Sequence, residues 1–412
     1  MPPMVYPRAI QVARSLKEMA RRGWSIDVVA LDANSDEVVR DGAFAALYSD
    51  HYRLHTIDVR DILESGRRKW PFNYRFKILE FLYPRVPPSM TMWMRRARAH
   101  ALRLIRTQEP RVLITFAQPW ADHLIGLSLK KRHPALPWIA HFSDPWVDSP
   151  YLADTNPDVR RIWQEQERAV IEHADAVIFV NAPTADLVMK KYPREWRRKI
   201  HVVPHGYDPD LRDAVVEPSQ DAGRMRLVYT GSMFPGLRDP LKILEALVCL
   251  KRMLPPERMP ITEFVGMGVT SYRKKAEDLG LDELTRFDER VGYLEALRLA
   301  ARADVLLMID TNTEHSVFLP SKISDYLMFG KPIFALTPRD AASVDALRPL
   351  GHMCVNSNDP EVIAGHLADL LKQAGSHGQE EWLSANRVFD IARTTDALEQ
   401  AIDMATKREA VG

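Results

Sequence analysis

Short apolar segments of strand length alternate with segments of helical periodicity along the whole 412-residue chain, and this alternation constrains the fold more than any other feature. Strands joined by helices form βα units, which build parallel sheets. Buried strands are predicted at 26–31, 112–116, 138–142, 176–180 and 201–203, and then at 225–230, 261–266, 305–309, 332–336 and 352–355. The sequence therefore predicts an α/β fold.

A polar stretch at 208–223, which contains Pro209 and Pro218, interrupts the alternation once. The chain is long enough for two domains of about 100–200 residues each. We therefore predict four parts, each continuous in sequence. They are a first Rossmann-like domain over 1–207, a linker over 208–223, a second doubly wound domain over 224–390, and a C-terminal helix over 391–412 that packs back on the first domain.

The start of the first domain departs from the usual pattern. A doubly wound domain normally opens with a central strand, a tight turn and a helix. Residues 1–7 read MPPMVYP, which resembles that turn with no strand before it. Two explanations stay open: the first strand lies upstream of an incorrectly assigned start, or the first sheet is built without it.

Composition excludes several classes of protein. The apolar runs fall far short of the ~20 residues of a membrane span, and no signal-peptide pattern opens the chain. Cys249 and Cys354 lack the spacing of a metal site or a disulfide framework, which favours thiols in a reducing cytoplasm. The net charge of +1 gives no reason to expect a nucleic-acid partner.

The charge is unevenly distributed, because residues 64–106 contain eleven Lys or Arg and only two acids. Aromatic residues such as Trp70, Tyr74 and Trp93 interleave with these cations. This mixture suits the headgroups of an anionic membrane surface. The alternative is an Arg-rich solvated helix over 93–106 that packs its apolar residues inward.

The segment 227–242 is a predicted strand followed by a glycine-containing loop and a helix. Gly231 lets backbone N–H groups approach an anion, and Arg238 and Lys242 lie where they can neutralise a diphosphate. Neither G-x-G-x-x-G nor a P-loop motif can be written through the segment. The alternative is an ordinary turn with exposed basic residues.

The segment 320–333 reads PSKISDYLMFGKPI, in which Pro320 or Ser321 opens a helix that Gly330 closes. A lysine in the first turn has the wrong sign for the helix dipole, so Lys322 is better explained by a bound phosphate. Asp325 lies on the same face and can accept hydrogen bonds from ribose hydroxyls. The alternative is an i,i+3 surface ion pair between the two side chains.

Polar residues also follow the predicted strand at 138–142. His141, Asp144 and Trp146 lie at or just after the carboxyl end of this strand, which is where parallel sheets bind ligands. Asp144 is equally suited to initiate a turn, and a histidine at a strand end is often a structural hydrogen-bond donor.

Two further sets of residues follow predicted strands. Gly206 and Asp208 precede the predicted linker, where a hinge and a ligand contact are both plausible. Gly266 and Gly268 form a weak G-x-G pattern, which fits either the approach of a nucleotide or a tight turn.

Taken together, these segments resemble the retaining glycosyltransferases of family 4 over nearly the whole chain. The resemblance is carried by PSKISDYLMFGKPI at 320–333, YTGS at 229–232, Arg238 with the following Asp-Pro, and VPHGYD at 203–208. It implies two facing Rossmann-like domains in the GT-B arrangement. It also implies that the C-terminal domain binds a nucleotide-sugar, with Ser232 among the binding residues, and that no metal or other cofactor takes part.

The resemblance assigns roles to particular residues. Arg238 and Lys322 would stabilise the departing diphosphate, and Asp325 would hold the ribose. The family's pair of glutamates seven apart is not intact, because the later position is Asp325 and the earlier one corresponds to Phe318 or Glu314. The glycine-rich turn of the first domain is also missing, and Arg8 is the candidate for an anion contact there.

The expected activity is transfer of a hexosyl group from a nucleotide-diphosphate sugar to an acceptor hydroxyl. The acceptor would be a lipid-linked or cell-surface glycan, as in polysaccharide biosynthesis, and the protein would be cytoplasmic or peripheral on the inner face of the membrane. Closure of the domains would bring the acceptor, oriented by His141 or Asp144, to the anomeric carbon. The alternatives are a non-catalytic GT-B-like binding or scaffold protein, a sugar-nucleotide epimerase, and a phosphorylase.

Overall fold

A computed structural model of the protein describes residues 1–2, 4–32, 41–59, 88–149, 156–216, 223–311, 315–374 and 378–407. Its contacts divide the chain into two compact units. The first unit comprises residues 1–204 and 394–412, and the second comprises residues 205–393. The segment predicted as a linker at 208–223 contains a helix of the second unit, and residues 217–222 of it lie outside the described residues.

The first unit contains two parallel sheets among its described residues. One pairs β1 with β2, and the other has the order β3-β4-β5-β6. The strands are β1 (Asp27–Leu31), β2 (Arg53–Ile57), β3 (Leu113–Ala117), β4 (Trp138–Phe142), β5 (Ala176–Phe179) and β6 (Ile200–Val202). The helices are α1 (Pro7–Arg21), α2 (Gly42–Ala46), α3 (Pro88–Gln108), α4 (Ala121–Arg132), α5 (Pro157–His173) and α6 (Ala182–Met189).

In this unit α1 precedes β1, and the described residues before α1 contain no strand. The strands β4 and β5 are buried along their whole length, as parallel strands covered by helices on both faces must be. One apolar cluster packs α3 and α4 against β1 and β2, and includes Trp93, Ala97 and Ile125. The chain positions of β1, β3, β4, β5 and β6 agree with prediction within one residue at each end.

The second unit is built around one six-stranded parallel sheet with the order β14-β12-β10-β7-β8-β9. Its strands are β7 (Arg226–Thr230), β8 (Ile261–Val265), β9 (Thr285–Asp288), β10 (Val305–Ile309), β12 (Ile333–Leu336) and β14 (Met353–Val355), and the short β11 (His315–Ser316) pairs with β13 (Asp340–Ala341). Its helices are α7 (Pro209–Val215), α8 (Leu241–Met253), α9 (Arg273–Asp278), α10 (Tyr293–Ala301), α11 (Lys322–Leu327), α12 (Ala342–Leu347), α13 (Pro360–Ala374) and α14 (Gln379–Asn386).

The strand order of this sheet reverses between β7 and β10. In doubly wound sheets, ligands bind outside the carboxyl ends of the strands at such a reversal. The core of the unit packs α8 and α13 against one face of the sheet through residues such as Leu247, Leu250 and Leu367. The reversal therefore predicts where the site of the second unit lies.

The last helix is α15 (Ile391–Lys407), and its residues from Thr394 onward belong to the first unit. Arg22 holds it by ion pairs to Asp396 at 2.7 Å and Glu399 at 2.8 Å, and Trp24 Nε1 donates to Glu399. The 391–412 helix was expected to pack on the first domain, and Arg111 of that domain also forms an ion pair with Asp403 of α15 at 2.8 Å.

Both cysteines are free thiols. Cys249 is buried, whereas Cys354 is half-buried, and burial raises the pKa of its thiol to about 11. None of the helices among the described residues combines the length and the apolar character that crossing a bilayer requires.

Candidate functional site

Two glycine loops meet at the carboxyl ends of β7 and β8. Gly231 N donates to Val265 O at 2.9 Å, and Gly266 N donates to Asp288 O at 3.0 Å. Both glycines have positive φ, +141° and +147°. A Cβ on Gly266 would lie 2.1 Å from Gly231 O, so only glycine fits there. Gly266, predicted as a nucleotide contact, thus has a structural role in packing the Gly231 loop.

Lys322 is the first residue of α11, and its ammonium group lies against the Gly231 loop. A Cβ on Gly231 would lie 2.4 Å from Lys322 Nζ, so the absence of a side chain makes room for the lysine. Nζ also lies 3.8 Å from the centroid of the Tyr229 ring. The atom is buried and has no hydrogen-bond partner among the described residues. An unpaired buried ammonium is costly, which is typical of a site that awaits an anion.

Arg238 adds a second cation to this place. Its Nε is buried and, within the described ranges, also lacks a hydrogen-bond partner. Burial and the nearby Arg238 charge lower the pKa of Lys322 well below its ordinary value, and Asp310 and Asp325 only partly oppose this. Burial likewise raises the pKa of Tyr229. We call Lys322 and Arg238 the cation pair. The pair concentrates positive charge in a place where burial disfavours the charged form of Lys322.

Asp325 does not neutralise Lys322 at hydrogen-bond distance. Its Oδ1 accepts from the Tyr293 hydroxyl at 2.8 Å, and Lys322 Nζ is buried and without a hydrogen bond in the described structure. The simple surface ion pair between the two residues is therefore excluded. Tyr293 begins α10, the helix that follows β9 in the chain.

The residues before Lys322 shape the start of α11. Pro320 O accepts from Ile323 N at 3.0 Å, and Ser321 O accepts from the Ser324 hydroxyl at 2.9 Å. The helix begins one residue after Ser321, whose side chain does not cap it. Ser232 presents its carbonyl to the Tyr229 hydroxyl at 3.0 Å. The backbone groups of Pro320 and Ser321 therefore shape the start of α11, which carries Lys322. The carbonyl of Ser232 holds Tyr229, whose ring lies against Lys322 Nζ.

Asp310 is a residue that sequence reasoning missed. It lies directly after β10 and is 4% exposed. Its Oδ2 accepts from the hydroxyls of Ser343 at 2.7 Å and Thr337 at 3.2 Å, and Oδ1 accepts from Thr311 N. A carboxylate directly after the apolar run 305–309 was the available signal, by the same rule that pointed to His141.

A cavity of about 360 Å³ opens beside the cation pair in the second unit. It is lined by the ends of β10, β12 and β14 and by the start of α8. Arg238 and Asp310 are in its wall, together with Lys242 and Arg339. This size is within the range of small-molecule pockets.

In the first unit, the structure brings together Arg8 and His141, two of the predicted site residues. Arg8 Nη2 donates to the carbonyls of Ala117 and, at 3.2 Å, His141, and lies 3.5 Å from His141 Nδ1. The Arg8 guanidinium also lies 5.7 Å from the Phe116 ring centroid. Its Nε and Nη1 are buried and have no partner in the part of the chain that is described.

Carboxylates surround Arg8 in this cluster. Burial lowers the pKa of Arg8 to about 10, while Asp144 and Asp122 raise it. Burial raises the pKa of Asp144, and it raises that of Asp122 to about 7, against the effect of Arg8. Burial lowers the pKa of the fully buried His123 to about 3, so its ring is neutral. We call Arg8, His141 and Asp144 the Arg8 cluster.

Trp146, predicted to contact the acceptor, is instead a core residue with 1% exposure. Its ring stacks on Trp120 with centroids 5.0 Å apart. The next residue, Val147, donates its N–H to the buried Glu167 at 3.0 Å, which fixes the loop. The apolar bulk of the indole outweighs its position at a strand end.

Gly206 and Asp208 are both buried and belong to the second unit. Asp208 is 1% exposed and caps α7, with Oδ1 accepting from Asp210 N at 3.1 Å. Next to it, Tyr207 N donates to Phe389 O at 2.8 Å. Asp208 is therefore a helix-capping residue.

The basic segment 64–106 is only partly described, since residues 60–87 lie outside the described residues. The rest belongs to α3, whose residues 88–108 include no acid. Trp93 is buried and its Nε1 donates to Asp122 at 2.7 Å, and Ala97 is 2% exposed. Ala101, Leu102 and Ile105 pack against the same core. The apolar face of α3 thus packs inward, as the alternative interpretation expects, and Arg95, Arg103 and Arg106 are exposed.

Comparison with known proteins identifies similar sequences and folds. Residues 9–211 match the sequence model of Glycosyltransferase Family 4. No curated protein matches the sequence at a significant level. Among solved structures, Anabaena HepE in complex with UDP and glucose is similar with a TM-score of 0.59 at 14% identity, over 97% of this chain and 96% of that one.

Two further structures have the same fold. The lipopolysaccharide outer core galactosyltransferase WaaB is similar with a TM-score of 0.62 at 11% identity, over 98% of this chain and 97% of that one. Sucrose-phosphate synthase from Thermosynechococcus elongatus is similar with a TM-score of 0.57 at 14% identity, over 98% and 92%. At these identities the likeness shows the fold alone, which is the α/β fold of GT-B glycosyltransferases.

Proposed function

Because the chain belongs to Glycosyltransferase Family 4, we propose that it transfers a hexosyl group from a nucleotide-diphosphate sugar to an acceptor hydroxyl. The observation that carries this proposal is the cation pair, in which the buried Nζ of Lys322 and the buried Nε of Arg238 have no hydrogen-bond partner among the described residues. A diphosphate supplies the anionic oxygens that these atoms lack. The complexes of HepE with UDP and glucose and with UDP-glucose support a nucleotide-sugar donor.

The donor is bound along the carboxyl edge of the second sheet. Lys322 and Arg238 take the diphosphate, and the Gly231 loop gives it close backbone approach. Asp325, oriented by the Tyr293 hydroxyl, accepts hydrogen bonds from the ribose. Arg238 lines the cavity and Asp325 does not, so this assignment leaves the cavity on the β10–β12–β14 side for the rest of the donor.

The chemical step is stabilised through the leaving group. The bond between the anomeric carbon and the diphosphate oxygen breaks, a bond to the acceptor oxygen forms, and the acceptor proton leaves with the released diphosphate. Lys322 and Arg238 hold the charge that develops on the departing oxygen, in a site where burial makes such interactions strong. Transfer is metal-independent and proceeds with retention of anomeric configuration.

The Arg8 cluster binds the acceptor. His141 and Asp144 orient its hydroxyl, and Arg8 holds His141 by a hydrogen bond to its carbonyl and acts on Asp144 through its charge. The acceptor is a lipid-linked or cell-surface glycan, and the exposed arginines of α3 hold the enzyme on an anionic membrane surface at the cytoplasmic side. Co-sedimentation with phosphatidylglycerol vesicles at low salt, absent with phosphatidylcholine vesicles, checks the membrane contact.

The second candidate is a binding protein of the same fold without turnover. The departure of the glutamate pair favours it, since the later position is Asp325 and the earlier one corresponds to Phe318 or Glu314. An epimerase is a further alternative, which would interconvert nucleotide-sugars without releasing nucleotide to an acceptor.

The test is incubation with UDP-glucose, UDP-galactose, GDP-mannose and a lipid extract, followed by measurement of the released nucleoside diphosphate. Release that depends on the extract supports the transferase. An interconverted nucleotide-sugar supports the epimerase. Binding of UDP or GDP without any release supports the binding protein, and no binding of either nucleotide contradicts all three functions.

A further inference from the structure

The wall of the 360 Å³ cavity contains two basic residues beyond the cation pair. Besides Arg238, its wall includes Lys242 of α8 and Arg339, which follows β12. Lys242 Nζ donates to the neutral Asn358 Oδ1. Arg339 is exposed, and it makes no hydrogen bond or ion pair with any residue that the structure describes. The start of α8, a 13-residue helix, adds the positive end of its dipole.

The acids in the same wall are already engaged. Asp239 accepts from Leu241 N at 3.1 Å and Gly236 N at 3.3 Å, so it serves the turn before α8. Asp310 is held by the hydroxyls of Ser343 and Thr337. Asp340 is exposed and lies in the short strand β13. Asp239 and Asp310 therefore do not pair with Lys242 or Arg339 in the described structure, and these two cations are available to an anionic group of a ligand.

The position of the cavity indicates which part of the donor reaches it. Arg238 of the cation pair lines the cavity, whereas Asp325 and its partner Tyr293 do not. With the ribose at Asp325 and the diphosphate at the cation pair, the donor continues past Arg238 toward the cavity. The next part of the molecule is the transferred sugar, and the cavity with Lys242 and Arg339 lies on that side.

We propose that this cavity receives the transferred sugar and that Lys242 and Arg339 select a sugar bearing a carboxylate, so that the donor is a nucleotide-activated uronic acid. The proposal rests on the proposed function. A guanidinium binds a carboxylate through two parallel hydrogen bonds, which gives geometric selection, and the ammonium adds charge. A neutral hexose leaves both cations without an anionic partner, so it binds more weakly.

Binding measurements on the full chain test this proposal. Isothermal titration compares UDP-glucuronic acid with UDP-glucose, and GDP-mannuronic acid with GDP-mannose, using UDP and GDP as references. The expected preference for the acidic sugar is about tenfold or more, the size of one charge-assisted contact of about 1.5 kcal/mol. Arg339→Gln reduces this preference and leaves the affinity for UDP or GDP unchanged. Lys242→Gln reduces the preference as well.

The matched control is Lys251→Gln, on the same helix but outside the cavity, where Nζ donates to Gly280 O at 3.0 Å. It keeps the preference intact. Equal or tighter binding of the neutral donor by the unaltered protein overturns the proposal. A second result also overturns it: Lys242→Gln abolishes the binding of free glucuronate or inorganic phosphate but leaves the donor preference unchanged. The cavity would then hold a separate anion rather than the sugar of the donor. Failure of both UDP and GDP to bind overturns the proposed function as well, whereas binding without acidic preference overturns this inference alone.

Discussion

The two units each place a cation at the carboxyl end of a parallel sheet, but its charge is balanced differently in each. In the first unit, Arg8 donates to two backbone carbonyls and is flanked by Asp144 and Asp122. In the second unit, Lys322 is buried beside another cation, and its Nζ has no partner within the described ranges.

This difference separates two kinds of binding site. Nε and Nη1 of Arg8 have no hydrogen-bond partner among the described residues, but the nearby carboxylates of Asp144 and Asp122 oppose a further anion, so the Arg8 cluster suits a neutral hydroxyl group better than a phosphate. A buried ammonium without a hydrogen-bond partner gains a full ion pair when an anion arrives. The proposed function accordingly places the acceptor in the first unit and the activated phosphate in the second, and each variant below alters one of these two sites.

The largest effect is expected for Lys322→Ala, which removes the ammonium from the cation pair. Transfer should fall about 10²- to 10³-fold, the cost of losing one group that stabilises a developing oxyanion. The melting temperature of the free protein should stay the same or rise, because no hydrogen bond of the described structure is lost at Nζ. Initial rates and thermal denaturation measure the two.

Lys274→Ala serves as the control, since this lysine is exposed and pairs only with Asp278 in its own helix. A clear drop in the melting temperature of Lys322→Ala with unchanged transfer would show that the lysine is structural.

A smaller effect is expected for Asp144→Asn in the Arg8 cluster. It keeps the size of the side chain and removes its charge beside Arg8, so transfer should fall about 10- to 10²-fold through loss of acceptor orientation. Affinity for UDP or GDP, measured by titration calorimetry, should not change. Equal loss of nucleotide affinity and transfer would place Asp144 with the donor and remove the contrast between the units.

Gly231→Ala tests the space that the second unit keeps for its ammonium. The new Cβ would lie 2.4 Å from Lys322 Nζ, on a backbone with φ of +141°, so the protein should lose about 1–3 kcal/mol of stability together with nucleotide affinity. Gly236→Ala in the same loop has φ of +75° and no atom within 4 Å of the new Cβ, so nucleotide affinity should survive. Urea denaturation and calorimetry separate the effects, and equal nucleotide affinity in both variants would be the contrary result.

The smallest effect is a pH dependence of nucleotide binding. Burial and Arg238 lower the pKa of Lys322 in the free protein, and a bound diphosphate raises it again. Between those two pKa values binding takes up a proton, so affinity falls as the pH rises, by at most about tenfold per unit. Calorimetry above pH 7 in buffers of different ionisation enthalpy measures the uptake. Lys322→Arg should abolish it, and persistence of the slope in that variant would assign the proton elsewhere.

Much of the fold follows from continuous apolar runs. The limits of β4 and β10 were predicted to the residue, because WIAHF and VLLMI are buried throughout and leave no choice of face. The strand β2 was missed because RLHTI is largely exposed and mixed in polarity, and β9 because TRFD alternates buried and exposed residues over four positions. Such short strands are specified by their neighbours in the sheet rather than by their own composition.

The candidate site was predictable at positions where the residue present is unfavourable for its local structure. Lys322 attracted attention because a helix start disfavours a cation, and the structure places it in a buried pocket. Trp146 was misplaced because its stacking on Trp120 depends on a tertiary contact. The contact of Tyr229 with Lys322, 93 positions along the chain, is likewise invisible before folding brings β7 and α11 together.

The central claim, that the second unit holds a diphosphate on the cation pair, is tested most directly by comparing UDP with UMP and GDP with GMP in titration calorimetry. The account predicts that one diphosphate binds at least about tenfold more tightly than its monophosphate, and that Lys322→Ala removes this difference. Equal affinity for the monophosphate and the diphosphate in the unaltered protein would contradict it.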